Sequence, residues 1–266
     1  MCILTFLKPG IAPDLDALHG GALANPHGHG YAIHTGAEIL TGHGMDPDHV
    51  ITEFAELRAK HPGGPALFHS RLATHGLRET ANCHPFLVGG DPRTVLAHNG
   101  VLPDTVHPTA ADPRSDTRIA AEDFLPTRPF GSLDTWQGRE RFERWMAASK
   151  IVLLTTDPAY KHPAYIFNEQ QGHWVGGIWY SNDSYLFTDW ATADNDYLGF
   201  CLDCGTLDED PLGPHCGYCG FCADLSLSTS RRIILLTSLF FFLIDKYLTN
   251  RNGYLCCGRK CSIDIF

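Results

Sequence analysis

Short strand-like runs, most of them bounded by Gly, Pro, Asn or Asp, fill residues 1 to about 190 with few helix-length stretches between them. A chain so patterned lacks the regular strand–helix alternation of a doubly wound parallel sheet. It is expected to fold as α+β layers. The expected strands are Ile3–Leu7, Tyr31–His34, Ala37–Thr41, Ala66–Thr74, Thr94–His98, Ile151–Thr155, Ala164–Asn168, Trp174–Trp179 and Tyr185–Thr188. The clearest helix runs from Asp46 to Lys60: Asp46 can cap it, Pro47 suits the first helical position, and Val50, Ile51, Phe54 and Leu57 form one apolar face before Pro62-Gly63-Gly64 stops it. A second helix is expected after Ser115-Asp116, stopping before Pro126, and a third over Arg139 to Ser149.

With 266 residues the chain can bury a full core, and its length fits one large domain or one domain with a small appendage. The net charge of -10 gives the whole chain no electrostatic footprint for nucleic acid or an anionic membrane, so neither is an expected partner. Lys8-Pro9-Gly10 cuts the first apolar run too soon for a secretory h-region, and the expected compartment is the reducing cytoplasm. There, clustered cysteines suggest metal before disulfide.

The composition divides the chain into residues 1–193, a polar linker with a cysteine cluster over 194–224, and an apolar tail over 225–266. The tail holds IILLTSLFFFLI (Ile233 to Ile244), which as a helix reaches only about 18 Å at about 1.5 Å per residue. That is too short for a hydrocarbon core of about 30 Å. A helix buried on the main domain is the favoured reading, an interfacial membrane segment the other.

CLDCG (Cys201–Gly205) and CGYCG (Cys216–Gly220) are two CxxCG knuckles at close to zinc-ribbon spacing. Each glycine allows the tight turn that points both thiolates at one ion, so tetrahedral structural zinc is expected on Cys201, Cys204, Cys216 and Cys219. Cys222 is an alternative ligand, because it forms another CxxC with Cys219. A redox pair is the competing reading, disfavoured because neither CxxC clearly opens a helix that would lower a thiol pKa. The histidines crowded into the first hundred residues show no HxH or HExxH ligand set on one helix and read mostly as core or surface residues.

Six ordered stretches remain: Cys2 directly behind Met1, NPHGHGYAI (Asn25–Ile33), FHSRLATHG (Phe68–Gly76), NCHPF (Asn82–Phe86), AHNGVL (Ala97–Leu102) and SDTRIAAEDF (Ser115–Phe124). Their order and spacing over residues 2 to about 190 resemble the class II glutamine amidotransferases, N-terminal-nucleophile enzymes that release ammonia from glutamine. The resemblance implies an αββα sandwich of two stacked antiparallel sheets between helix layers. It also implies Cys2 as nucleophile, Asn99 and Gly100 as oxyanion hole, Arg71 on the α-carboxylate of L-glutamine, Asp116 on its α-ammonium, and Thr74, His75 and Gly76 lining the pocket. Leu72 stands where the family often has tryptophan after the arginine, which puts only local pocket packing in doubt.

Each of these residues also has a plain physical reading. Once Met1 is removed, Cys2 carries an α-amine with an unperturbed pKa of about 7.7–8.0, able to take the thiol proton without a separate histidine. Cys2 alone reads as a buried strand cysteine, Arg71 as half of an internal salt bridge, Asn99-Gly100 as a hairpin turn, and Asp116 as an N-cap.

Read together, the motifs give a glutaminase domain with an N-terminal cysteine thioester. Its ammonia is expected to pass to a separate acceptor enzyme, since no P-loop, sugar-phosphate isomerase half or phosphoribosyl-binding signature is recognised after residue 190. Two alternatives stand beside it. One is an amidase for another γ-glutamyl or amide compound. The other is a catalytically idle sandwich that binds protein through its zinc ribbon, whose loop is acidic at Asp203, Asp208, Glu209 and Asp210.

Overall fold

A computed structural model describes residues 2–186 and the short strand segments Gly199–Phe200 and Leu207–Asp208. The chain divides into two compact units, Met1–Asp189 and Trp190–Phe266. In the second unit Gly199–Phe200 pairs antiparallel with Leu207–Asp208. The four expected zinc cysteines, Cys222 and the 225–266 tail lie outside the described residues.

The first unit is built from β1 (Ile3–Leu7), α1 (Leu15–Ala24), β2 (His29–His34), β3 (Ile39–Gly44), α2 (Pro47–Lys60), β4 (Ala66–Ser70), β5 (Phe86–Val88), β6 (Asp91–Asn99), α3 (Asp116–Ile119), α4 (Trp136–Met146), β7 (Lys150–Thr155), β8 (Ala164–Phe167), β9 (His173–Val175) and β10 (Ile178–Tyr180). One sheet runs β3-β2-β4-β1-β10-β9 and the other β5-β6-β7-β8. Every pairing is antiparallel.

Strand alternation sorts the side chains into layers. Leu4 and Phe6 of β1, Ala32 of β2, Leu67 of β4 and Trp179 of β10 meet Val95, Ala97, Val152 and Leu154 of the other sheet in one buried core. The alternate residues Ile3, Leu7, Tyr31, Ile33, Phe68 and Tyr180 pack with Leu18 of α1 and with Val50, Ile51 and Phe54 of α2. On the far face of the second sheet, Leu96, Ile151, Leu153 and Phe167 pack against Phe142 and Met146 of α4 and against Ala120 and Ala121. The unit is therefore a mixed fold of two antiparallel sheets, face to face, with helices outside both. Fully burying one such Leu, Ile or Phe side chain contributes about 1.5–3 kcal/mol.

The helix from Asp46 forms as expected, with the Asp46 carboxylate accepting from the N–H groups of Asp48 and His49. Its buried Arg58 donates to the carbonyls of Lys8, Ile11, His61 and Gly64, binding the β1 exit to the end of α2. α1 has no counterpart in the sequence reading, since Gly20-Gly21 weakens its helical pattern. Gly21 is needed for packing, because a Cβ there would sit 3.0 Å from Cγ2 of Ile3 in β1.

Three expected elements are corrected. Trp174–Trp179 is two strands rather than one, reversed at Gly176 and Gly177, whose φ values of 56 and 89 suit a two-residue hairpin. Asp183–Leu186 is a 3₁₀ turn rather than the start of a strand, since the Asn182 carboxamide accepts from both the N–H and the hydroxyl of Ser184. Asn99-Gly100 is not a hairpin turn: Asn99 ends β6, and its partner Lys150 lies far downstream in β7.

Candidate functional site

The alternation that builds the inter-sheet core also places the candidate residues. Cys2 precedes β1 in the same phase as Leu4 and Phe6, and Arg71 follows β4 in the phase of Leu67. Asn99 ends β6 in the phase of Val95 and Ala97. The register Ile3↔Ser70 sets Cys2 beside the residues just after β4. Cys2 Sγ lies 3.3 Å from the Leu72 N–H nitrogen and 3.5 Å from the Leu72 carbonyl oxygen. Burial pushes the Cys2 thiol up, against the opposing pull of the Leu72 N–H and the Arg71 guanidinium. Among the described residues no side chain hydrogen-bonds this sulfur.

Arg71 is 2% exposed, yet its guanidinium donates to main-chain carbonyls, those of Leu77 at 2.8 Å and His75 at 2.6 Å. It therefore clamps the Thr74-His75-Gly76 turn while keeping further N–H groups of its five. Desolvation lowers its pKa from the ordinary arginine value. Gly76 has φ +75, and a Cβ there would lie 2.7 Å from Ser115 N, so only glycine lets this turn touch the start of α3. His27 closes the other side, its N–H donating to the Arg71 carbonyl and its Nδ1 accepting from Ala73 N. Burial, with Arg78 and Arg71 nearby, pulls the His27 pKa down to about 4.

The N-cap of α3 is Ser115, whose hydroxyl accepts from Arg118 N. Asp116 is the first helical residue, which corrects the capping expectation. Its carboxylate is 4% exposed and accepts from the N–H groups of Leu102 and Thr117. Those donors tie it to the chain just past Asn99-Gly100.

Asn99 donates from Nδ2 to Ser181 Oγ at 2.7 Å, leaving Oδ1 buried with no partner among the described residues. Ser181 Oγ also accepts from Leu4 N at 2.9 Å, which occupies both of its lone pairs and leaves its own proton to give. With the amide oxygen and nitrogen exchanged, the hydroxyl donates to Oδ1 and the –NH₂ takes the unpartnered position. That orientation leaves Asn99 a donor to offer. Gly100 has φ +140 and packs on Ser149, whose Oγ would collide with a Cβ there; Ser149 Oγ in turn donates to the Val101 carbonyl.

Beneath these groups lie His69, His84 and His98, all buried, with ring centroids 4.0 Å apart for His69–His84 and 6.5 Å for His84–His98. Desolvation holds His69 and His84 well below the usual imidazole range and His98 at about 4. All three are neutral near pH 7.

The structure thus gathers Cys2, Arg71, Thr74, His75, Gly76, Asn99, Gly100 and Asp116 around one end of the facing sheets. Sequence reading missed Ser181, Ser149 and Asn82. Asn82, which opens NCHPF, donates to the carbonyls of Leu77 and Pro113 and accepts from Ser115 N, so it joins the Arg71 turn to α3. A motif position was its only signal; Ser181 and Ser149 had none. A separate cavity of about 260 Å³ lies on the outer face of the second sheet against Phe130, Phe142 and Tyr160, and none of the gathered residues lines it.

No protein-family model and no curated protein matches the chain. Among solved structures it is similar to glutamine phosphoribosylpyrophosphate amidotransferase from B. subtilis complexed with ADP and GMP, with TM-score 0.43 and 19% identity over 68% of this chain and 41% of that one. An allosteric regulatory enzyme of purine biosynthesis matches with TM-score 0.36 and 18% identity over 58% of this chain and 35% of that one. A glutamine aminotransferase class-II domain protein from Silicibacter pomeroyi matches with TM-score 0.30 and 15% identity over 59% and 79%. The chain thus spans less than half the length of the first two of these proteins.

Proposed function

We propose that the first unit is a glutaminase of the class II amidotransferase kind, which hydrolyses L-glutamine to glutamate and ammonia from a mature N-terminal Cys2. One observation carries the reading: a thiol, a guanidinium, a carboxylate and an Asn-Gly pair from separate strands and turns converge at one end of the sandwich. Arg71 takes the substrate α-carboxylate and Asp116 its α-ammonium, which aims the side-chain amide at Cys2. The thiol rests protonated in its buried setting, and its described partners are main-chain groups of Leu72, so the base falls to the α-amine freed by loss of Met1.

In that mechanism the amine takes the thiol proton and sulfur bonds to the amide carbon. The resulting oxyanion is held by the Asn99 side chain and the Gly100 N–H. Proton transfer to the leaving nitrogen breaks the C–N bond and releases ammonia. Water then cleaves the γ-glutamyl thioester to glutamate and restores the thiol. A separate acceptor enzyme for the ammonia belongs to the proposal, as does structural zinc on Cys201, Cys204, Cys216 and Cys219, with Cys222 as alternative ligand. Four thiolates leave such an ion no open position for water.

The test is glutamate release by wild type and Cys2→Ala, with intact mass to show whether Met1 is removed. Release in wild type that vanishes in Cys2→Ala supports the mechanism. Release that persists in Cys2→Ala overturns it.

A further inference from the structure

Asp116 has a neighbour, His107, that glutamine binding does not use, and His107 faces it together with the pocket residue His75. His75, in the turn clamped by Arg71, and His107, just past the 3₁₀ turn Asp104–Val106, each bring a ring nitrogen to the Asp116 carboxylate, the three ligand atoms lying within 4.8 Å of one another. The two imidazoles are half-buried, with ring centroids 4.4 Å apart. We propose that His75, His107 and Asp116 bind a divalent transition-metal ion of the zinc class, and that the bound ion competes with glutamine.

Two imidazole nitrogens and a carboxylate oxygen suit Zn²⁺, Ni²⁺ or Co²⁺ and leave further positions for water. The outer contacts that orient metal ligands are already present. His107 Nε2 lies 2.6 Å from the Leu102 carbonyl, which can only accept, so in the neutral ring Nε2 carries the proton and the lone pair is on Nδ1, which lies 3.4 Å from Asp104 Oδ1. The N–H of the same Leu102 donates to Asp116 Oδ2 at 2.9 Å, so one residue aligns two of the three ligands. His75 Nδ1 is buried with no hydrogen-bond partner among the described residues. A metal–nitrogen or metal–oxygen bond is about 2.0–2.2 Å, so atoms now within 4.8 Å of one another have to close in by side-chain rotation to share one ion.

The competition rests on the glutaminase reading above. A carboxylate that coordinates a dication cannot also hold the α-ammonium of glutamine, so loading this site empties the amino-acid pocket. His107, which has no part in glutamine binding, then becomes a residue through which metal supply regulates ammonia release.

The experiment is a cobalt(II) titration of the full chain, counting bound equivalents in wild type, His107→Ala and His107→Phe. The phenylalanine variant keeps a ring against His75 and has no ligand atom, so it stands if the alanine variant misfolds. The cysteine cluster is common to all three proteins and cancels in the difference. One equivalent fewer in either folded variant, or affinity for it weakened more than about tenfold, is the expected result. Equal equivalents and equal affinity overturn the metal site. Competition is read separately: saturating L-glutamate should displace the extra cobalt from wild type, and cobalt retained in full overturns the competition. A wild type that releases no glutamate without cobalt sinks the glutaminase reading, while the cobalt count still decides the site.

Discussion

Ser181 Oγ lies 2.7 Å from the Asn99 carboxamide and 2.9 Å from the main-chain nitrogen of Leu4, so one hydroxyl joins the end of β6 to the strand that follows Cys2. The two sheets are held in registry where the chemistry is proposed. Ser181→Ala leaves a buried amide and a buried N–H without their partner, and an unmet buried polar group costs about 1–3 kcal/mol. The expected result is a fall of about tenfold in kcat for glutamate release with KM nearly unchanged, and a deeper fall for Asn99→Ala, in which the proposed oxyanion donor itself is lost. Steady-state kinetics decide it; a Ser181→Ala enzyme with wild-type kcat removes Ser181 from this role.

Arg71 holds the His75 and Leu77 carbonyls, and in the proposed function it also reaches the substrate carboxylate. Lysine keeps the charge but lacks the planar fork of donors. Arg71→Lys is expected to raise KM for glutamine more than about tenfold, since a charge-assisted bidentate contact is worth roughly 1.5–3 kcal/mol. An unchanged KM would show that the substrate carboxylate binds elsewhere.

Gly100→Ala drives a Cβ into Ser149 at a φ of +140 that an L side chain rarely adopts. Overpacking and backbone strain together cost about 1–3 kcal/mol, and the displaced Gly100 N–H should lower kcat as well. Adding Ser149→Gly clears the colliding hydroxyl, so the double variant should recover part of its thermal stability. If the double variant is no more stable than Gly100→Ala, contact with Ser149 is not what requires glycine.

Burial keeps His29 and His98 neutral down to about pH 4, and His69 and His84 are also held below the usual imidazole range. An unfolded chain protonates the same rings below about 6.5. Between about pH 6.5 and 4 the unfolded state therefore binds more protons, and stability falls as pH falls, by up to about 1.4 kcal/mol per pH unit for each histidine. Denaturant unfolding at pH 7.5, 6 and 5 measures the slope. A midpoint that does not move across that range contradicts the neutral cluster.

The α+β layers were legible from strand-like runs with few helices between them, while the two stacked sheets were implied only by the motif resemblance; β1, β4, β6 and β7 carry apolar residues in both phases because each has two buried faces. Asp46 and Pro47 marked α2 for the same local reason that they cap it. The site was legible through motifs rather than patterning: Cys2, Arg71, Asn99 and Asp116 lie far apart in the chain, and the register Ile3↔Ser70, the Ser181 bridge and the Leu102 N–H on Asp116 bring them together. α1 was hidden because its Gly20-Gly21 weakens the helical pattern, and Gly21 serves a tertiary approach to Ile3 that no local pattern records. His107 was hidden too, since its partners His75 and Asp116 come from other turns.

β1 sits between β4 and β10, and its second neighbour begins at Ile178. A ribosome must deliver almost the whole first unit before the amino-terminal strand gains that flank. Until then the strand behind Cys2 is a raw sheet margin with half its backbone valences unmet, and Ser181 has not yet arrived to couple it to Asn99. Under the proposed mechanism competence is thereby timed by topology: a truncated or nascent product carries the sulfur without the Ser181–Asn99 link beside it.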